Sequence, residues 1–269
     1  MKTQLIITLA CAVLSAPLFG GNLTSRIAEK HKVIRTDKFF GFERTVFDFN
    51  GHAAWVVEPK DKAAEGMPWT WTMQWATAFV PRTGVPKLLE EGWHHVTLEM
   101  FDTRACDESM PEFKVFQEYL VKELGFAPKA RLIGMSWGGF FSIRYTSTYP
   151  EMVKSIYLDA PLLNFEAFGK NDPERIGPWA KSIPEKGWRS DPRMPVNMAD
   201  SVAKAGIPIL LLYGGKDQVV PPASNCELFF SRFKASGGDI KVIKRDSYTH
   251  HPHGVELDDL EIVLFFMKK

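Results

Sequence analysis

The residues able to do chemistry in this chain are Ser136, Asp217 and a group of histidines at 250, 251 and 253. Ser136 stands in Gly134-Met135-Ser136-Trp137-Gly138-Gly139, which fits G-x-S-x-G. Two glycines and a serine at this spacing arise by chance in about one chain of this length in ten, so the surroundings decide. Arg131 to Gly134 reads as a short strand, and Trp137 to about Tyr149 as a helix stopped by Pro150. A serine on a tight strand-to-helix turn raises its hydroxyl above a sheet, beside a helix N-terminus. Such a turn is expected to leave no room for a Cβ at Gly134 or Gly138. A hydroxyl becomes a nucleophile only when a base takes its proton, and an acid must hold that base in one tautomer. Asp217 follows the apolar run Ile207 to Tyr213, and His250 follows Ile240 to Lys244. Both therefore leave the carboxyl ends of strands, the edge where open α/β sheets bind ligands.

Other residues compete for these roles. Asp159 also ends a strand (Val153 to Leu158) and is a second candidate acid, or else it caps the segment that follows. His251 should point away from His250, and His253 lies beyond a proline that turns the chain. No Cys or Glu stands near the histidines at helical ligand spacing, which argues against zinc. His94 and His95 begin a strand and read as packing residues. Of the eight tryptophans, Trp55, Trp93 and at least one of Trp69 and Trp71 are expected to fill the core. Trp75 near the serine, and Trp179 and Trp188 in loop sequence, are the candidates for a substrate pocket.

The elements that must hold these residues alternate. Arg44 to Phe49 and Ala53 to Glu58 flank Asn50-Gly51 and form an expected antiparallel hairpin. Further strands are expected at Pro68 to Trp75 and His95 to Met100, with a short helix at Val85 to Glu91 between them. A helical apolar spacing runs from Glu112 to Leu124, with Gly125 just past its end. Further helices are expected at about Ala223 to Ala235 and at Leu257 to Met267. This alternation predicts a mainly parallel sheet with helices on both faces. Residues 161–200 break the rhythm, carry six of the eighteen prolines and read as a lid.

Lys+Arg number 33 against 32 Asp+Glu, a net charge of +1, so nothing marks a nucleic-acid partner. No apolar run reaches the length of a membrane span. Lys2, the apolar stretch Leu5 to Leu14 and the small residues Ser15, Ala16, Gly20 and Gly21 fit an export signal over residues 1–20. One domain over residues 21–269 is then expected, in a periplasmic or secreted setting. Thr8-Leu9-Ala10-Cys11 is a weaker match to a lipoprotein box.

Over about residues 42 to 267 the chain resembles the α/β-hydrolase fold superfamily, in particular secreted bacterial members with Pro-Trp-x-Trp, G-x-S-x-G-G and His-His-Pro-His. The resemblance implies Ser136 as nucleophile, Asp217 as acid and a clustered histidine as base. His250 holds the first loop position, where the superfamily places that histidine. The resemblance also implies an oxyanion hole that uses the Trp137 N–H. The usual His-Gly after the third strand is absent. Met73-Gln74-Trp75 stand there instead, and Met73 is the expected second donor. His253, Trp75, Trp179 and Trp188 are the expected substrate contacts. No cofactor is implied. The leading expectation is a serine hydrolase of carboxylic esters, on a small molecule or a carbohydrate. A small exopeptidase and a non-catalytic binding module are the alternatives. In the superfamily's strand order, the strands before Cys106 and Cys226 lie four places apart, about 19 Å. A disulfide needs Cα atoms within about 7 Å, so two free thiols are expected even in an oxidising compartment.

Overall fold

In a computed structural model of the chain, residues 22–168, 172–250 and 260–269 are described. The export segment, His251 and His253 lie outside them. Among the described residues nine strands form one sheet: β1 (Val33–Phe39), β2 (Phe42–Phe49), β3 (His52–Val57), β4 (Trp69–Gln74), β5 (His94–Leu98), β6 (Ala130–Met135), β7 (Val153–Asp159), β8 (Ile209–Gly214) and β9 (Ile240–Arg245). Eight α-helices among the described residues accompany them: α1 (Leu23–Ala28), α2 (Val85–Glu90), α3 (Met110–Leu124), α4 (Trp137–Thr148), α5 (Pro173–Ile176), α6 (Ala199–Lys204), α7 (Cys226–Ala235) and α8 (Leu260–Lys268).

The strand order is β1-β2-β3-β5-β4-β6-β7-β8-β9. From β5 to β9 every pairing is parallel. The expected hairpin is present, with Asn50 and Gly51 both at positive φ (52° and 88°) and Gly51 N–H bonded to Asp48 Oδ1 at 2.9 Å. Antiparallel pairing extends further than that hairpin: β1 pairs with β2, and β3 pairs with β5. β1 was not expected. Its turn uses Phe40-Gly41, both at positive φ, where an Asn or Asp would have announced it.

Alternation explains the unbroken apolar strands. Along β6, Leu132 packs in one core and Ile133 in the other. Along β8, Ile209 and Leu211 face one side while Leu210 and Leu212 face the other. A strand covered on both faces has no polar side to display. Helices α2 and α8 cover one face; α1, α3, α4, α6 and α7 cover the other. Gly125 ends α3 in the left-handed conformation (φ 78°), and the neighbouring Phe126 N–H reaches back to the Leu120 carbonyl at 3.1 Å. The segment between β7 and β8 is less irregular than a plain lid, because its last stretch is α6, whose Val202 and Ala203 enter the core.

β5 and β8 are four places apart in the sheet, and Cys106 and Cys226 are free thiols. Cys226 is buried at the start of α7 and Cys106 is half-buried.

His94 and His95 are packing residues on β5. His94 lies against the Phe126 ring at 4.7 Å, and His95 shares a 2.8 Å hydrogen bond with the Thr70 hydroxyl. Burial disfavours their charged forms, holding His94 down to about 4 and His95 down to about 3. In the unfolded chain both titrate near 6.5. Between pH 6.5 and about 4 the unfolded state therefore binds more protons, and stability falls as pH falls. The slope is about 1.4 kcal/mol per pH unit for each histidine. Denaturant unfolding at pH 7.5 and pH 5 is expected to show this loss, and His94→Phe should lower the slope. An unchanged slope in the variant would contradict the burial argument.

Candidate active site

Ser136 sits between the end of β6 and the first residue of α4, at φ 50° and ψ −118°. A non-glycine residue is strained there and persists only where its surroundings fix it. The Ser136 N–H bonds the Asp159 carbonyl at 3.0 Å, and the Leu162 N–H bonds the Ser136 carbonyl at 2.8 Å. A Cβ on Gly134 would lie 2.9 Å from the Gly138 carbonyl oxygen, and one on Gly139 would lie 2.2 Å from Pro161 Cβ. Gly138 differs from expectation. A Cβ there would meet Gln74 at an ordinary 3.4 Å, so the glycines that the turn requires are Gly134 and Gly139.

The Ser136 Oγ and His250 Nε2 are 3.1 Å apart. His250 Nδ1 lies 2.7 Å from Asp217 Oδ2. The second carboxylate oxygen, Oδ1, accepts from the Val219 and Val220 N–H groups, each at 2.9 Å. Those two amides fix the carboxylate in place. Both His250 and Asp217 are buried. Hydroxyl, imidazole and carboxyl group thus form one chain, in which a proton leaving Ser136 can move to an imidazole already aligned by Asp217. Asp159 holds a different position: it is fully buried at the end of β7, and its Oδ2 accepts from the Tyr157 hydroxyl at 3.0 Å.

Two cavities meet at Ser136. One, of about 380 Å³, is lined by Trp75, Ala78, Phe79, Met135, Val219 and His250. The other, of about 220 Å³, is lined by Trp137, Leu162, Phe168, Arg175, Val219 and Val220. Trp75 therefore lines a cavity at Ser136. Met73 does not: it lies within β4, fully buried in the core, and lines neither cavity. The chain leaves the strand one residue after Gln74, and Trp75 at φ 61° begins the turn that borders Ser136. Trp179 and Trp188 also depart from expectation. They are 2% and 4% exposed, pack against Phe165 and line neither cavity. The segment they belong to builds its own apolar layer on α4, where Trp179 meets Phe140 and the guanidinium of Arg144. Loop sequence does not show whether an indole covers a core or faces a pocket. The aromatic side chains that do line the cavities are Trp75, Phe79, Trp137 and Phe168.

The chain has the α/β-hydrolase fold. The family model described as alpha/beta hydrolase fold matches residues 81–185. Among solved structures, the chain is similar to an S-formylglutathione hydrolase from Agrobacterium tumefaciens, at 18% identity and a TM-score of 0.58 over 88% of this chain and 95% of that one. It is similar to Est1E from Butyrivibrio proteoclasticus at 17% identity and a TM-score of 0.59, over 88% and 98%. It is also similar to an acylaminoacyl peptidase from Pyrococcus horikoshii at 13% identity and a TM-score of 0.60, over 88% and 48%. The chain spans about half or less of the length of the peptidases it matches. No curated protein matches it in sequence.

Two substitutions separate the turn from the aromatic layer. Gly139→Ala forces its Cβ onto Pro161 and is expected to displace the Ser136 turn, measured as loss of labelling by a serine-directed fluorophosphonate while the protein stays folded. Trp179→Ala is expected to cost about 3 to 5 kcal/mol in denaturant unfolding, the ordinary loss for a buried aromatic. If stability is retained and only substrate preference changes, Trp179 is a pocket residue after all.

Proposed function

We propose that the protein is a serine hydrolase that cleaves a carboxylic ester. The observation that carries this is the continuous pair of contacts, Ser136 Oγ to His250 Nε2 at 3.1 Å and His250 Nδ1 to Asp217 Oδ2 at 2.7 Å. In this reading the Ser136 oxygen attacks the acyl carbon as its proton passes to His250 Nε2. Asp217 accepts from Nδ1–H, fixes the tautomer and stabilises the imidazolium that forms. The negative charge that develops on the acyl oxygen is met by backbone donors. One is the Trp137 N–H, which as the first residue of α4 has no acceptor within the helix. We assign the second to the turn that opens at Trp75. As the tetrahedral intermediate collapses, the alcohol leaves with the proton from Nε2, and the acyl group stays on Ser136. Water then repeats the sequence, with His250 as its base, and releases the acid.

The four aromatic side chains at the cavities support an alcohol or acyl part with a flat apolar face. A carbohydrate or small aromatic ester meets that description. The exopeptidase alternative needs an acidic group to hold a substrate amine. Among the described residues lining the two cavities none is acidic.

Purified protein should hydrolyse 4-nitrophenyl acetate and bind a fluorophosphonate probe, and Ser136→Ala should abolish both. His250→Ala should lower the esterase rate by at least a factor of 10³. Equal labelling of wild type and Ser136→Ala would overturn the nucleophile assignment.

A further inference from the structure

The smaller cavity at Ser136 has a cationic wall. Arg175 lines it beside Trp137 and Phe168, with its guanidinium 5.4 Å from the Phe168 ring centroid. Asp172 meets Arg175 at Nε, 3.1 Å away. Among the described residues nothing hydrogen-bonds the two Nη atoms, which form the outer fork of the guanidinium. A fork held by its inner nitrogen and open at the outer pair is arranged to grip a planar anion.

Behind Arg175 stands a second cation. Arg104 donates to three backbone carbonyls: Nε to Arg175 at 2.9 Å, Nη2 to Glu174 at 3.4 Å, and Nη1 to Phe101. Among the described residues no carboxylate pairs with it. Its guanidinium lies 3.7 Å from the Phe101 ring centroid and 5.6 Å from that of Trp137. Burial disfavours its charged form. Arg104 therefore anchors the α5 turn that carries Arg175 and adds positive potential on the Trp137 side. Asp102 lies close enough to oppose that field in part. The larger cavity has no Asp, Glu, Lys or Arg among the described residues that line it, and its rim includes the exposed Trp75, Phe79 and Val219.

We propose that Arg175 is a specificity residue that selects an ester carrying a carboxylate on one side of the scissile bond, with an apolar group on the other. A half-ester of a diacid, or an ester of an acidic sugar, has this form. The inference rests on the ester-hydrolase reading for its reaction and on the cavity alone for its anion.

The test uses three aryl esters of matched size: 4-nitrophenyl butyrate, mono-4-nitrophenyl glutarate and 4-carboxyphenyl butyrate. The last two place the carboxylate on the acyl and the alcohol side respectively. Arg175→Gln is expected to raise KM for one of the anionic esters about tenfold and to leave 4-nitrophenyl butyrate within twofold. Arg175→Lys should recover part of the loss, and Arg175→Glu should deepen it. Arg175 is exposed, so these variants should fold, and thermal unfolding checks that they do. If all three esters change by the same factor, or none changes, the inference is overturned and the hydrolase reading stands. Binding of glutarate by calorimetry gives an answer without turnover. If no ester is cleaved but glutarate binds wild type about tenfold more tightly than Arg175→Gln, the anion site stands and the ester-hydrolase reading falls. Equal glutarate affinity in the two proteins counts against the site.

Discussion

The geometry around Ser136 depends on one strained backbone position. At φ 50° and ψ −118° Ser136 cannot relax into strand or helix, since either change would carry its hydroxyl away from His250. Three elements hold it. The Asp159 carbonyl on β7 and the Leu162 N–H just beyond it take the backbone of Ser136 from opposite sides, while β6 and α4 close together at Gly134 and Gly139. The beginning of the segment between β7 and β8 is thus bonded to the serine it overhangs. That couples pocket shape to Ser136: a change in residues 160–162 acts on both.

The sheet supplies the rest of the alignment. Ser136, Asp217 and His250 follow β6, β8 and β9, which span three parallel steps across β7. Strands about 4.8 Å apart separate the outermost of these loops by about 14 Å, a gap that side chains and turns can bridge. Asp217 comes close through its own loop, where the Val219 and Val220 amides fold back onto its carboxylate. Val219 also lies on the rim of both cavities, so one short loop orients the acid and shapes the pocket.

Some of this was legible in the residues and some was not. The elbow, the loops of Asp217 and His250 and most strand positions follow from glycine placement, apolar runs and strand ends. These signals are local, and each sits within a few residues of its effect. The failures have a shared cause, since each depends on what lies opposite in three dimensions. Trp179 and Trp188 read as pocket aromatics because their sequence is proline-rich and irregular; the surface that Trp179 covers on α4 comes from residues about forty positions earlier, and Trp188 packs on Trp179 and Phe165. Gly138 matched the motif, but the glycine pressed against Pro161 is its neighbour. β1 was hidden by an exposed, polar face and a Phe-Gly turn.

Arg104 and Arg175 went unnoticed for the same reason: they are 71 positions apart and share no motif. Their pairing has a physical logic that a purely structural role leaves unexplained. An arginine whose bonds all end on carbonyls keeps its full charge while losing hydration, and that costs free energy. If Arg104 served only to tie α5 to the loop after β5, a neutral donor could make the same contacts at lower cost. Gly177 has no side chain, and a Cβ there would sit 3.0 Å from Arg104 Cγ, so the backbone has been left open for the long stem to pass. Trp137 lies within reach of this charge, and its amide is the assigned oxyanion donor. Arg104 is thus the cation on the Trp137 side, while Arg175 stands over the Phe168 ring. Selection of the substrate and stabilisation of the reacting oxygen fall to different side chains, which is why loss of Arg175 spares an uncharged ester.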